Sequence, residues 1–243
     1  MAIDYTPAIH FKHVDYSVGD LHILKNITGS FPAGKITTLV GPSGAGKTTL
    51  LKLCNGLLSP AAGEIYVNGV SIQQYEPVEL RRSVGIALQS APMVDGSVYD
   101  NLNLPAALKN GRLDESQALR LLEDVGLEKG LLKRNVKDLS GGQRQKASIA
   151  RTLVNRPEIL LLDEITSSLD RTSLKEIEEL IVKINQKYGT AIIWITHNLQ
   201  QALEIGDFTW VMMDGEVVET GESELLEDPL NERVKNFVKG ESI

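Results

Sequence analysis

This sequence has a single cysteine, no long apolar run and no excess of basic residues, and each absence excludes a class of protein. Cys54 is the one cysteine among 243 residues, so no disulfide can form within the chain and a reducing cytosol is the expected compartment. No run of about 18 apolar residues is present, so another polypeptide would have to cross any membrane at which this protein acts. The 25 Lys and Arg residues are outnumbered by 32 Asp and Glu, which argues against broad binding to nucleic acid.

The composition is that of an ordinary globular domain. A content of 42% hydrophobic and 23% charged residues can bury a full core in a chain of this length. The first residues carry an acid, Asp4, and no apolar segment, which argues against a secretory signal. Internal repeats and long linkers are lacking, so we expect one domain with subdomains.

Short apolar runs alternate with helical patterns after a β-rich start, which predicts an α/β fold. Asn-Gly at 68–69 and Asp-Gly at 214–215, each between strand-like residues, predict tight hairpins. Apolar residues at helical spacing from Leu50 to Leu57 predict a helix, with Gly56 and Pro60 marking its end. Residues 35–40 form a short β-branched run that predicts a further strand. The runs that read as strands buried on both faces, as in a parallel sheet, are residues 83–88, 158–163 and 190–196.

The stretch between Gln89 and Leu139 is helical in pattern, charged and rich in leucine, which predicts an inserted helical subdomain. Asp114 with Gln117 three residues later predicts a capping box at a helix start. The residues that line one face of that helix are Ala118, Leu121, Leu122 and Val125.

A glycine-rich segment follows the strand at 35–40 and predicts a phosphate-binding loop (P-loop). Its glycines let the backbone turn so that N–H groups and the next helix start face phosphate oxygens. Lys47 can reach the β- and γ-phosphates, and the Thr48 hydroxyl is placed to ligate Mg²⁺. A chance turn is the alternative, but the flanking strand and helix favour nucleotide binding. The predicted nucleotide-binding residues are Gly41, Pro42, Ser43, Gly44, Ala45, Gly46, Lys47, Thr48 and Thr49.

Two acidic residues, Asp163 and Glu164, follow the apolar strand at 158–163. Ligands gather at the carboxyl ends of strands in open α/β sheets, and a nucleotide bound at Lys47 would need a metal and a positioned water. We therefore expect Asp163 to hold Mg²⁺ and Glu164 to act as general base on the attacking water. Taken alone, such a pair could equally cap a strand or enter a turn.

A further glycine-containing segment at 139–143 predicts a second anion-binding helix start. It places a hydroxyl and backbone N–H groups just ahead of a helical pattern. By itself it would read as an ordinary helix N-cap. The residues of this segment predicted to contact nucleotide are Ser140, Gly141, Gly142 and Gln143.

The P-loop, Gln89, the segment 139–143, the acidic pair and His197 resemble, in this order, the ATP-binding cassette (ABC) family. The resemblance spans about residues 9–240. It implies a P-loop NTPase fold with a mixed, largely parallel central sheet, an N-terminal antiparallel β subdomain and an inserted helical subdomain. The core would cover about 9–88 and 156–240, and the helical signature subdomain about 90–155.

The resemblance also assigns roles that the residues alone do not. Gln89 is similar to the glutamine that senses Mg²⁺ and the attacking water. His197 is similar to the switch histidine that contacts the γ-phosphate, although a lone histidine there would read as a satisfied strand-end residue. Residues 167–170 resemble the loop that crosses the dimer interface. Because the signature of one family subunit covers the γ-phosphate held by the other, the resemblance implies a homodimer around two Mg²⁺-ATP.

The function implied by the resemblance is that of an ATP-hydrolysing transporter subunit at the cytoplasmic face of the cell membrane, beneath separately encoded permease subunits. Residues 91–95 would lie near the permease helix or serve as loop anchors. A soluble ABC ATPase of iron-sulfur cluster assembly stays an alternative, whereas a chromosome-maintenance ATPase would need coiled-coil arms that this sequence lacks. Residues 97–102 and 163–167 are similar to ATPases of metal-ion exporters, iron in particular, while small-solute importers stay open.

Two positions depart from the family pattern. Many members stack an aromatic residue on adenine, but Val18 holds the aligned position here, with Tyr16 two residues earlier. Alternation would put Tyr16 on the same strand face as Val14 and Val18, so it is either the stacking residue or an inward strand residue. Ile165 replaces a common proline and leaves the acidic pair unchanged.

Overall fold

The computed structural model describes residues 5–240, and within this range the chain forms two β-sheets and eight α-helices. The strands are β1 (Pro7–Val18), β2 (Leu21–Pro32), β3 (Ile36–Val40), β4 (Ala62–Val67), β5 (Val70–Ser71), β6 (Val84–Leu88), β7 (Ile159–Asp163), β8 (Ala191–Ile195), β9 (Phe208–Met213) and β10 (Glu216–Glu222). The helices are α1 (Lys47–Cys54), α2 (Pro77–Ser83), α3 (Val98–Ala107), α4 (Glu115–Asp124), α5 (Gly141–Leu153), α6 (Arg171–Tyr188), α7 (Leu199–Ile205) and α8 (Glu232–Lys239).

The central sheet has the strand order β10-β9-β3-β8-β7-β6. Its strands from β9 to β6 pair in parallel, and β10 pairs antiparallel with β9 through the turn at Asp214 and Gly215. Successive residues of β7 point to opposite faces, so Leu160 lies in one apolar core and Leu161 in the other. All four runs predicted to be strands therefore belong to the parallel part of this sheet, with β6 at its edge.

The N-terminal sheet, with the order β2-β1-β4-β5, is antiparallel throughout. It packs on the central sheet through an aromatic cluster in which Phe31 lies 4.5 Å from Trp210 of β9 between ring centroids. Phe11 lies 5.3 Å from Phe31 in an edge-to-face arrangement. This antiparallel sheet and the mixed central sheet confirm the predicted fold class.

Helices α3, α4 and α5 lie between β6 and β7 in the chain and pack together over a shared apolar core. Leu102 of α3, Leu122 of α4 and Ile149 of α5 are fully buried in it. The same core continues under α6, which joins this helical insertion to the central sheet. The residue limits of the helical subdomain and of the core stay a prediction.

Two helix ends differ in part from their predictions. Helix α1 ends at Cys54, and Gly56, one of the two residues predicted to mark its end, adopts a left-handed φ of 67°. Leu57 lies beyond the helix and is 51% exposed, so its predicted place on the helix face is wrong. Asp114 is the N-cap of α4, but its side chain accepts no capping hydrogen bond, and the predicted capping box with Gln117 does not form.

The environment of Tyr16 follows from irregular pairing of β1. The register of β1 with β2 shifts at several points, and His13 takes a left-handed φ of 51°. As a result the expected strict alternation fails: Val14 is buried, whereas Val18 is exposed. Tyr16 packs against the core between the two sheets, as an inward strand residue would.

Candidate functional site

The candidate site is built where three neighbouring parallel strands end. Strands β3, β8 and β7 lie side by side, and their carboxyl ends therefore meet at one edge of the sheet. The P-loop follows β3, Asp163 and Glu164 end β7, and His197 follows β8. Residues far apart in the sequence are thus brought to a single edge.

The P-loop uses glycines where other residues would not fit. Gly46 is the N-cap of α1 and has a left-handed φ of 94°. Gly41 has a φ of 140°, and a Cβ built on it would lie 1.9 Å from the Met212 carbonyl oxygen of β9. Gly44 has a φ of 82° but would place its Cβ in open space. The loop is therefore held tightly against β9 at its start and is open at its middle.

Replacing Gly41 with alanine is expected to destabilise the nucleotide-free protein by about 3 kcal/mol, because the methyl group meets backbone of β9 and not a movable side chain. Gly44→Ala is the matched control and is expected to cost about 1 kcal/mol, since only backbone strain is added. Urea denaturation of both variants measures the difference. Equal losses of stability would show that the contact with Met212 does not constrain the loop.

Lys47 is held at the mouth of the loop. Its Nζ donates to the carbonyl oxygens of Gly41 at 2.7 Å and Pro42 at 2.9 Å, and the residue is only 5% exposed. Burial lowers the pKa of the Lys47 ammonium, while the nearby Glu164 and Asp163 carboxylates act to raise it. Because an ammonium group has three donors, one remains for a ligand oxygen.

Thr48 and Asp163 form the second pair at this edge. The Thr48 hydroxyl donates to Asp163 Oδ1 at 3.0 Å, which joins residues 115 positions apart. Burial raises the pKa of Asp163, and the hydrogen bond from Thr48 only partly offsets this effect. A hydroxyl and a carboxylate side by side are the oxygen ligands that Mg²⁺ takes in nucleotide sites, so these residues fit the predicted metal.

Asp163→Asn is expected to raise the melting temperature of the nucleotide-free protein at neutral pH. A carboxyl group whose pKa is raised by folding contributes stability that is lost as the pH rises through its folded pKa. Asparagine keeps an acceptor for Thr48 without the buried charge. The advantage of the variant should shrink as the pH falls through the folded pKa of Asp163, because the native carboxyl then becomes protonated. Differential scanning calorimetry of both proteins, from neutral to acidic pH, measures the two melting temperatures. A lower melting temperature of the variant at neutral pH would contradict the prediction.

Glu164 and His197 are directly linked. His197 Nε2 donates to Glu164 Oε1 at 2.6 Å. Glu164 also has a left-handed backbone φ of 50°, which is unusual for glutamate and typical of strained residues at functional sites. Its N–H donates to the Ile195 carbonyl oxygen at 3.2 Å, which fixes this conformation against the end of β8.

Gln89 reaches the same region from the end of β6. Its Nε2 donates to Ser167 Oγ at 2.8 Å, and that hydroxyl donates to the Glu164 carbonyl oxygen at 3.0 Å. Among residues 5–240, no hydrogen bond joins the Gln89 side chain to Thr48 or Asp163. Gln89 is thus brought to the backbone of Glu164 and not directly to the predicted metal ligands.

The segment 139–143 begins α5 with a complete capping box. Gln143 N–H donates to Ser140 Oγ at 3.2 Å, and Ser140 N–H donates to Gln143 Oε1 at 3.1 Å. Gly142 lies against α6, where a Cβ would be 2.9 Å from Ser173 Oγ. Within the described part of the chain, no hydrogen bond joins residues 140–143 to the P-loop. Within one chain the predicted second anion site is therefore not bonded to the first.

Two supporting residues were not found from the sequence. Arg151 of α5 donates to the Pro92 carbonyl oxygen at 2.7 Å and so anchors the segment that follows Gln89. Gln201 of α7 is buried, and its Nε2 donates to Glu178 Oε1 at 2.7 Å and lies 3.4 Å from Thr166 Oγ1. Gln201 is a polar residue on the buried face of a helix, and such a residue needs a hydrogen-bond partner. This pattern would have indicated Gln201 from the sequence.

The fold and the site together define the chain as a P-loop nucleoside triphosphatase, because the loop, its lysine and the acidic strand end occupy the positions that phosphate binding requires. None of the helices between residues 5 and 240 has the length and apolar character needed to span a bilayer.

Comparison with known proteins narrows this class. The ABC transporter family is matched over residues 24–167. The chain is 44% identical over 239 residues, 96% of this chain and 95% of the relative, to YjkB of Bacillus subtilis (strain 168), named as an ABC transporter ATP-binding protein. It is 36% identical over 193 residues, 79% of this chain and 86% of the relative, to FetA of Escherichia coli (strain K12), named as an iron export ATP-binding protein. The chain belongs to the ABC transporter family.

Solved structures agree with this assignment. The cbiO1 protein from Clostridium perfringens, described as part of the ABC transporter complex cbiONQ, superposes with a TM-score of 0.84 at 30% identity, covering 92% of each chain. The dimeric ATP-binding cassette MJ0796, bound to ADP and Pi after hydrolysis, gives a TM-score of 0.78 at 29% identity over 88% of this chain and 98% of its own. The predicted ATP-binding and ATP-hydrolysing ABC subunit is confirmed, whereas the roles of single residues stay predictions.

Proposed function

We propose that two copies of this chain close around two Mg²⁺-ATP and drive separate permease subunits from the cytoplasmic face of the cell membrane. The observation that carries the proposal is the convergence of three pairs at one sheet edge. They are Lys47 with the P-loop carbonyls, Thr48 with Asp163, and His197 with Glu164.

The nucleotide would be held by residues 41–49. Backbone N–H groups of the glycine turns and the start of α1 would face the phosphates. Lys47 would bind a phosphate oxygen with its remaining donor, and it would reach both the β- and γ-phosphates once Nζ releases a P-loop carbonyl. Thr48 and Asp163 would hold Mg²⁺ with help from Gln89, whose side chain would have to leave Ser167 to do so. When bound, Mg²⁺ neutralises charge on the phosphate oxygens during transfer.

Glu164 would act as the general base. Its carboxylate accepts a proton from the attacking water, which requires that one of its oxygens faces the site while His197 holds the other. His197 fixes the carboxylate in place and would contact the γ-phosphate. Ser167 supports the Glu164 backbone, so that the base keeps its left-handed conformation, and Gln89 adds to this support until its side chain turns to the metal.

A second copy would supply the missing wall of each site. Ser140 and the start of α5 are not bonded to the P-loop of their own chain within residues 5–240, and MJ0796 is a dimer. The test is ATP turnover per protomer as a function of protein concentration. It should rise with concentration until dimers form. Constant turnover down to high dilution would contradict a shared site.

The transported solute is proposed to be a metal ion of the iron type. One support is the 36% sequence identity to FetA, which extends over 79% of this chain. The other is the similarity of residues 97–102 and 163–167 to ATPases of metal-ion exporters. The experiment reconstitutes the protein with its permease in vesicles and follows ATP-driven movement of Fe²⁺ and of phosphate. Movement of Fe²⁺ alone supports the proposal, and movement of phosphate alone overturns it.

A further inference from the structure

We propose that the crevice at the opposite end of the central sheet, here called the basal crevice, binds a small organic anion with an apolar body. The crevice is lined by Gly34, Glu158 and Ala191, which stand at the amino ends of β3, β7 and β8. The P-loop follows the carboxyl end of β3. A five-residue strand is about 16 Å long, so the two sites are separate.

The basal crevice has room for a small molecule. Its volume is about 740 Å³, within the range of small-molecule sites. One wall comes from α4 of the helical insertion, and the facing walls come from the end of α6 and from loops of the N-terminal sheet. The apolar part of the lining consists mainly of Leu113, Leu121, Leu153, Val154 and Pro157.

The charges around the basal crevice favour an anion. Its lining carries three cations, Arg120, Arg156 and Lys187, against the two carboxylates Asp124 and Glu158, in a chain whose net charge is -7. The lining therefore has a net positive charge, whereas the whole protein has a net negative charge. The crevice would therefore attract an anion despite the negative net charge of the chain.

Both carboxylates of the crevice are already engaged. Asp124 accepts hydrogen bonds from Lys187 and Tyr188. Burial acts to raise the pKa of Asp124, but these hydrogen bonds and the Lys187 charge lower it below its usual range, so this group stays ionised. Glu158 Oε2 accepts from Asn68 Nδ2 at 2.6 Å.

The two arginines, in contrast, are available. Within residues 5–240 neither Arg120 nor Arg156 forms an ion pair or a side-chain hydrogen bond, and both are exposed at the crevice. Guanidinium groups bind carboxylate, sulfonate or phosphate oxygens through paired donors. Two such groups beside an apolar lining define a ligand with one anionic end and one apolar end.

Occupancy is expected to influence ATP turnover. The crevice is walled by α4 on one side and by the α6–β8 connection on the other, so a ligand would link the helical insertion to the central sheet. The helix α5, which begins with Ser140, packs in the same core as α4. A ligand that fixes α4 would therefore also bias the position of α5.

The experiment uses the anionic dye 1-anilinonaphthalene-8-sulfonate as probe on the whole protein, first without nucleotide and then with saturating ATP. We expect saturable fluorescence that dodecanoate displaces and inorganic phosphate does not. The double variant Arg120→Gln/Arg156→Gln should weaken dye binding about tenfold or more, because both anion-binding donors are lost. Melting curves confirm that each variant is folded, and the two single variants replace the double one if it is not.

The matched control is Arg81→Gln, an exposed arginine of α2 outside the crevice that has no carboxylate partner among the described residues. Its dye affinity should equal that of the native protein. The proposal is overturned if the folded double variant binds the dye as the native protein does, if ATP displaces the dye, or if no saturable binding occurs. ATP hydrolysis by the double variant without dye should be unchanged, which separates this site from the P-loop.

Discussion

Lys47→Ala is expected to lower the affinity for ATP about 100-fold or more and to abolish hydrolysis. The ammonium lies almost fully buried at the mouth of the P-loop, where its interaction with phosphate is weakly screened by water. Burial lowers the pKa of Lys47, and the charges of Glu164 and Asp163 oppose this shift, so they help to keep the group cationic. Isothermal titration calorimetry with ATP and Mg²⁺ measures the loss.

Two further variants show whether charge is the cause. Lys47→Met keeps an apolar stem of similar length without the ammonium and should lose affinity as the alanine variant does. Lys109→Ala removes an exposed lysine that follows α3 and should bind ATP normally. Melting curves must accompany them, since Lys47 also donates to the Gly41 and Pro42 carbonyl oxygens. Unchanged ATP affinity in a folded Lys47→Met protein would remove this residue from the site.

Glu164→Gln is expected to keep the affinity for ATP and to slow hydrolysis about 100- to 10,000-fold. Glutamine has nearly the same shape, and its Oε1 can still accept the hydrogen bond from His197. It cannot take the proton of the attacking water. ATP and Mg²⁺ should therefore accumulate a dimer that size-exclusion chromatography separates from the monomer.

The control for this variant is Glu179→Gln, which neutralises an exposed carboxylate on α6. It should hydrolyse ATP at the native rate and give no stable dimer. A Glu164→Gln protein that stays monomeric with ATP and turns over normally would show that another group is the base.

Much of the fold was predictable because its signals are local. The apolar runs of β6, β7 and β8 are nearly continuous, as is typical of strands in a parallel sheet covered on both faces. The Asp-Gly pair at 214–215 predicts its hairpin because both residues adopt a left-handed φ there. For the same reason the P-loop could be located from its glycines and its flanking elements.

Contacts between distant residues could not be predicted. The hydrogen bond from Arg151 to Pro92 depends on how the helices pack, and so does the basal crevice. The spacing of residues in the sequence does not indicate this packing. The left-handed φ of Glu164 is imposed by its bond to Ile195 at the end of β8, because glutamate by itself disfavours it. The missing capping bond at Asp114 shows that a correct residue at an N-cap does not ensure the bond.

The most direct measurement mixes two inactive variants, Lys47→Ala and Ser140→Arg, and assays ATP hydrolysis. If each site combines the P-loop of one copy with Ser140 of the other, a mixed dimer holds one complete site. An equal mixture should then recover up to about a quarter of native activity, while each variant alone stays inactive. A mixture of the two folded variants that remains as inactive as its components would contradict the shared site.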